Sequence, residues 1–510
     1  LTYSLGLDLG TSAVKALLLP HDAGGRLYSN SAPLVLSTPR PGWSEQDPAD
    51  WWRAATHAIR GLLTAAGVDA SDIRGVGLSG QMHGATLLDR RGAVLRPSIL
   101  WNDQRSGSEC DWITERVGLP RLLEWVGNPA LAGFTVPKVV WVRNNEPQIF
   151  QDLGRVLLPK DYLNYLLTGS QATDYSDASG TLLFDVAERR WSTELASALD
   201  LSVEIFPDAY ESTTVVGAIS RDAAAATGLR AGTPVVAGGA DNACAALGMG
   251  VVEEGQVLAS IGTSGTLVAP MRAPRVDPDG RLHTFCHAVP ETWYAMGVVL
   301  SAGGSLRWWR DVLADEGGNG DDSFEALLEA ASEIPAGSDG LIFLPYLSGE
   351  RTPHADPNAR GVFFGLSLRH RREHFTRSVV EGVSFALEDS AQLMRAMGVS
   401  LETVRATGGG ASSHMWRTIL ASLFGSRVLT ALTDAGPALG AAILAGTGTG
   451  EWPSVQQATA ALVEMSGETA PDEDLVALYR AYQGLYDDLY PALADRFDRL
   501  AALTARVSEA

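Results

Sequence analysis

The chain has 510 residues, 45% hydrophobic and 19% charged, with 54 glycines and a formal net charge of −21 at pH 7. That length exceeds one compact core, so two or three domains are expected, with the composition of a soluble α/β enzyme. The acidity argues against nucleic acid, which needs a basic face, and no apolar run approaches the roughly 18 residues of a membrane helix. Cys110, Cys244 and Cys286 are too few and too scattered for a disulfide framework or a zinc site. Asp8 and Lys15 break the first apolar run too early for a signal peptide, so a reducing cytoplasm is the expected compartment.

The first element is a short strand, Leu5–Leu9, that opens into Gly10-Thr11-Ser12. Such a turn leaves backbone N–H groups and two hydroxyls around one concavity, which suits a phosphate. Asp8 stands on that strand where a Mg²⁺ bound to the phosphate could sit. The commonplace reading is a plain hairpin turn. Asp47-Pro48 predicts an N-cap and first-turn proline, with a helix to about Ala66. Ile73–Leu78 predicts a strand. Its string Gly75-Val-Gly77-Leu-Ser-Gly80 matches a dinucleotide fingerprint, yet the glycines lie inside the strand and no helix follows directly. His83, between Gly80 and Gly84, reads as a substrate contact or as a structural histidine.

Val235-Val236-Ala237 predicts another strand, ending in Gly238-Gly239-Ala240-Asp241-Asn242. Asp241 is either a helix cap or an acid presented to a substrate, and its place between two phosphate loops favours the second. A boundary is expected near 246–255, dividing the chain into 1–247 and 248–510. The loop pattern then recurs: Val257–Ile261 opens into Gly262-Thr263-Ser264, without an acid on the strand. From Glu373, Phe375, Val379, Val383 and Leu387 give one apolar helix face. Gly408-Gly409-Gly410-Ala411-Ser412 allows close approach of a flat ligand or a phosphate, or is a plain strand-to-helix turn. Leu478, Tyr482, Leu485 and Leu489 predict the inner face of a closing helix.

Together these residues resemble the FGGY family of carbohydrate kinases. Gly133 to Asn145 fits one family signature; Gly361 to Leu366, with His374-Phe375 and Ser378 to Glu381, fits the second. Gly42 to Pro48 is also family-like. Gln81-Met82-His83-Gly84, Trp101-Asn102-Asp103, Leu158 to Tyr162 and Leu344 to His354 are similar to the members that phosphorylate D-xylulose. Glycerol kinases of the family carry an Arg-Glu pair where Met82-His83 stands. Ser412, Thr418 and Ser422 depart from the common pattern, which bears on adenosine contacts.

The resemblance implies an α/β, duplicated actin-like (ribonuclease-H-type) ATPase fold, with two lobes and ligands in the cleft between them. It implies ATP and Mg²⁺ as cofactors and transfer of phosphate to the terminal hydroxyl of D-xylulose. Asp241, as general base, and Asp8 are the expected catalytic acids and the expected metal ligands. Met82, His83, Trp101, Asp103, Asp241 and Asn242 are expected at the sugar. Gly10, Thr11, Ser12, Lys15, Gly262, Thr263 and Ser264 are expected at the phosphates, and Gly409, Gly410 and Ala411 at adenosine. The partners are the sugar and ATP, with no nucleic acid and no membrane, and a homodimer is admitted. Two alternatives stay open: a family member for ribulose, fuculose, gluconate or glycerol, and an actin-like ATPase switch protein.

Overall fold

Both apolar runs that end in glycine and two hydroxyl residues become the first strand of an antiparallel hairpin, and each hairpin seeds a sheet of the same design. The computed structural model describes residues 1–22, 25–314, 323–433 and 435–508. The first half contains β1 (Tyr3–Leu9), β2 (Ala13–Pro20), β3 (Tyr28–Pro33), α1 (Pro48–Ala66), β4 (Ile73–Gly80), α2 (Pro159–Thr168), α3 (Tyr175–Ser179), β5 (Val215–Ala218), β6 (Pro234–Val236) and α4 (Asp241–Gly248). The second contains β7 (Gly255–Ile261), β8 (Gly265–Met271), β9 (His283–Cys286), β10 (Trp293–Val299), α5 (Gly303–Ala314), α6 (Arg372–Ala396), β11 (Leu401–Thr407), α7 (His414–Phe424), β12 (Arg427–Ala431), α8 (Pro437–Gly448), β13 (Met465–Thr469) and α9 (Glu473–Ser508).

The first sheet reads β3-β2-β1-β4-β6-β5 and the second β10-β8-β7-β11-β12-β13, with β9 added outside β10. In both, successive pairs are antiparallel, antiparallel, parallel, parallel and antiparallel. This is the duplicated actin-like α/β fold that the resemblance implied.

Local signals placed several elements well. Asp47 caps α1 by accepting the Ala49 N–H at 2.9 Å, Pro48 begins the helix, and Gly67 closes it at φ 63°. Trp51, Ala55, Ala58, Ile59 and Leu62 form its buried face. The glycines in β4 answer to helix packing and not to a dinucleotide. A Cβ on Gly77 would lie 2.1 Å from the Ala441 carbonyl oxygen, and one on Gly6 1.9 Å from that of Ala438. Without those side chains α8, from late in the chain, lies directly on β1 and β4 of the first sheet. It also packs on α4, where a Cβ on Gly440 would meet the Cys244 carbonyl oxygen at 2.0 Å. Cys244 is fully buried in that contact, and all three cysteines are buried and free.

Two helix faces differ from expectation. α6 buries Val379, Val383 and Leu387, but also Thr376, Ser378, Glu381 and Ser384, so it runs through the core of the second half with no solvent face over that stretch. In α9 the leucines lose: Leu478 is 37% and Leu485 53% exposed, while Tyr479, Gln483, Tyr486 and Phe497 are buried. Polar partners choose that face. Tyr479 donates to Glu381 at 2.9 Å and accepts from Arg377 at 3.1 Å, and the Tyr486 and Tyr346 hydroxyls meet at 3.1 Å. Among the described residues no helix is long and apolar enough to cross a membrane.

Candidate active site

Register brings the two acids to one place. Asp8 pairs with Lys15 across the first hairpin and with Ser79 on the parallel strand β4. Its Oδ1 is buried and makes no hydrogen bond among the described residues. Burial pushes its carboxyl up to about 6, against the pull of the nearby Ser79 hydroxyl and Lys15 ammonium. Lys15 itself donates to the Ala435 carbonyl at 2.9 Å, just ahead of α8.

Asp241 is the first residue of α4. Its Oδ1 accepts the Asn242 backbone N–H at 2.7 Å and the Asn242 amide at 3.0 Å. Burial, and then the neighbouring Asp8 charge, lift its carboxyl to about 7. A carboxyl poised near neutral pH in a desolvated site has the properties of a general base. Among the described residues no three or more His, Cys, Asp or Glu are grouped to hold a metal ion. Two carboxylates, one with an unsatisfied oxygen, suit Mg²⁺, which takes one or two protein oxygens and completes its shell with water and phosphate.

Beyond β4 the backbone of His83 takes φ 69°, a region few non-glycine residues enter. Its carbonyl accepts the Thr135 hydroxyl and the buried Lys138 ammonium, each at 3.1 Å, which holds the turn. Its ring packs on Phe134 with centroids 4.7 Å apart. Nδ1 lies 2.6 Å from the Gly180 carbonyl, which can only accept, so Nδ1 carries the proton and Nε2 remains an acceptor. Burial pushes the imidazole down to about 3, so it stays neutral. The Asn242 amide reaches the Met82 sulfur at 3.8 Å, which joins the His83 turn to Asp241.

Trp101 donates to the Thr11 hydroxyl at 3.0 Å, and Thr11 donates to Gln81 at 3.1 Å. Gln46 donates to the Thr11 carbonyl at 2.7 Å and accepts from Gln81 and Trp51. The first hairpin is thus tied down by a glutamine pair whose role sequence reading did not assign, although Gln46 and Gln81 both lay in stretches noted as family-like. Asp103 corrects an expectation. It is fully buried and accepts from the Ser44 N–H at 2.6 Å and from Arg105 through three N–H groups at 2.6–2.9 Å. A carboxylate so saturated supports Arg105 and the Ser44 backbone and has no oxygen left for a sugar. Arg351 was missed: it reaches from the second half to Gly133, 3.5 Å from where a Cβ there would sit, and its charge is felt at His83.

The second loop is a hairpin turn like the first. The Gly262 N–H donates to the Ser264 carbonyl at 3.1 Å, as Gly10 does to Ala13 at 3.0 Å. The Ala302, Gly303 and Gly304 N–H groups clamp it through the Gly262 and Thr263 carbonyls at 2.8–2.9 Å. Gly262 and Thr263 line a cavity of about 480 Å³ with Gly409, Gly410 and Ser412, closed by Arg307, Phe324 and Trp416. Ser264 and Ala411 are absent from that lining. Ala411 is 6% exposed and its carbonyl is held by Arg417, whereas Ser412 lines the cavity. Another cavity of about 480 Å³, between α6, α7 and α9, shares no residue with this group.

The chain is similar to known proteins over nearly its whole length. Residues 3–248 match the N-terminal domain, and residues 257–449 the C-terminal domain, of the FGGY family of carbohydrate kinases. The chain is 40% identical over 496 residues to a xylulose kinase of Bacillus subtilis, covering 97% of each. It is 41% identical to a xylulose kinase of Escherichia coli, over 96% of this chain and 100% of that one. A crystal structure of a Brucella ovis protein described as a xyloylose kinase superposes with a TM-score of 0.89 at 39% identity, covering 97% of this chain and 99% of that one. The chain belongs to the FGGY family of carbohydrate kinases.

Proposed function

We propose that the chain transfers the γ-phosphoryl group of ATP to the terminal hydroxyl of D-xylulose, giving D-xylulose 5-phosphate and ADP. The observation that carries this reading is Asp241, its carboxyl lifted to about 7 and linked through Asn242 to Met82 beside His83. The similarity to xylulose kinases over nearly the whole chain supports the choice of sugar. His83 Nε2 accepts a sugar hydroxyl, while Met82, Trp101 and Asn242 shape the pocket around it. Asp241 takes the proton of the attacking hydroxyl as its oxygen bonds to the γ-phosphorus and ADP leaves.

Phosphoryl transfer asks a protein mainly for positioning and charge stabilisation. Backbone N–H groups of Thr11, Ser12, Thr263 and Ser264, with the hydroxyls of Ser12, Thr263 and Ser264, hold the phosphates. Lys15 adds positive charge on the first strand pair, and Gly409 and Gly410 face adenosine. Asp8, with Asp241 nearby, would hold Mg²⁺, which when bound would supply positive charge at the phosphates. The halves 1–247 and 248–510 act as jaws whose approach excludes water. Buried free cysteines suit a reducing cytoplasm.

A coupled ADP assay over a panel of sugars tests the reading. D-xylulose should give the highest kcat/KM, ahead of ribulose, fuculose, gluconate and glycerol. A higher value for any of these reassigns the substrate, and nucleotide turnover indifferent to every sugar would favour a switch protein.

A further inference from the structure

The run Leu158 to Tyr162, at the start of α2, has no part in the chemistry above, yet it contains a fully buried lysine. Lys160 Nζ donates to Asp161 at 2.6 Å, and it pairs with Asp174 at 3.1 Å and Asp177 at 3.7 Å. It also donates to the Ala237 carbonyl at 3.1 Å. One turn later Asn164 donates to the Val236 carbonyl at 3.2 Å. On α3, the Ser176 hydroxyl accepts the Ala240 N–H at 2.9 Å and itself donates to Asp174 at 2.5 Å. Three side chains therefore grip the backbone at Val236, Ala237 and Ala240.

The gripped segment is the turn Gly238-Gly239 that leads into Asp241. Gly238 sits at φ 81°, and a Cβ there would fall 2.0 Å from the Leu78 carbonyl oxygen. Two glycines supply no side chain to fix their own position, and their freedom is large. Main-chain pairing holds Gly239 and Ala240 to β4 along one edge; the α2 and α3 side chains hold the turn from outside the sheet. Stability alone is a poor account of the cluster, because buried ion pairs are commonly replaceable by apolar groups at little cost.

We propose that Lys160 is a positioning residue for Asp241, acting with Ser176 and Asn164 to fix the Val236–Ala240 backbone so that the carboxylate meets the reacting hydroxyl. The proposal rests on Asp241 being the base. A misplacement of about 1 Å costs on the order of 10²-fold in rate, whereas sugar held by His83 and Met82 is affected little.

The test uses the full chain with Lys160→Met and Ser176→Ala, each alone and combined with Asp241→Asn. Lys160→Met should lower kcat by about 10²-fold and Ser176→Ala by about 10-fold, with KM and the calorimetric Kd for D-xylulose unchanged within about 2-fold. Ser176→Thr, which keeps the hydroxyl, should recover most of the loss. In the Asp241→Asn background neither substitution should lower residual turnover by more than about 2-fold, since no base remains to be misplaced. The same loss in both backgrounds, or a rise in KM with kcat intact, overturns the proposal. If Lys160→Met fails to fold, Ser176→Ala and its rescue decide the matter alone. Near-normal turnover of Asp241→Asn by itself would overturn the assignment of the base, a failure visible separately.

Discussion

The two hairpins share a turn and differ in everything around it. Asp8 stands one residue before the strand end that precedes Gly10; Ser260 stands at the same place before Gly262. Opposite them sit Lys15 and Thr266. The Thr11 hydroxyl is spent on Trp101 and Gln81, whereas Thr263 is exposed and lines a cavity beside Gly409 and Gly410. On the proposed reading, a duplicated fold has kept its backbone device twice and divided the side-chain work: charge and proton chemistry in the first half, nucleotide space in the second. The division follows from burial. The first turn lies beside buried carboxyls whose pKa values desolvation raises, while the second borders an open cavity.

If that division holds, the largest effect belongs to the proposed base of the first half. Asp241→Asn keeps the shape and cannot take a proton, so turnover should fall by about 10²–10⁴-fold, with D-xylulose binding by calorimetry nearly unchanged. Its stability should move the other way. Burial lifts the folded carboxyl to about 7, against 3.8 for an ordinary aspartate, so between those values the native state holds a proton that the unfolded state has released. The stability linked to that proton is full below the unfolded pKa and is lost as pH rises through about 7. Asp241→Asn should therefore melt above the parent at pH 8, a gap that closes toward pH 4. A lower melting temperature at pH 8 would show that the carboxylate is better solvated than its burial suggests.

Next comes the strand position that the halves do not share. Asp8→Asn should depress turnover and shift the Mg²⁺ titration to higher concentration, with partial recovery at high Mg²⁺. Ser260→Ala, its counterpart, should leave the Mg²⁺ midpoint where it is. Equal shifts in both variants would erase the asymmetry.

The pH profile sharpens the comparison further. With Asp241 near 7, Asp8 near 6 and His83 near 3, kcat/KM for the sugar should fall about tenfold per pH unit below pH 7 and more steeply below pH 6, as Asp8 also takes a proton, along one acidic limb. His83→Ala should leave that limb in place and cost ~0.5–1.5 kcal/mol in kcat/KM for xylulose. An unchanged kcat/KM would remove His83 from the sugar site.

The smallest effects should separate the two threonines. Thr11→Ala removes a hydroxyl bonded on both sides, so it should lower the melting temperature through a loss of ~1–3 kcal/mol at the stranded partners. Thr263→Ala should leave melting alone and raise KM for ATP. The reverse pattern would mean that Thr263 is the structural one.

Much of this was present in local sequence. The cap at Asp47, the hairpins at Gly10 and Gly262, the alternation of strands and helices and the placing of Asp8 and Asp241 at strand ends all follow from short-range rules of turn chemistry and periodicity. Those rules report the free energy of a segment with its own neighbours. They could not say that Gly6 and Gly77 are seats for α8, because the helix that needs them lies more than 350 residues away along the chain. Nor could they show that Arg105 and Ser44 exhaust Asp103, or that Arg351 crosses to the histidine. In α9 hydrophobicity alone pointed to the leucines, and the face was settled by Glu381 and Arg377 meeting Tyr479. A buried polar group must find its partner, and which partner is within reach is decided only when distant elements pack.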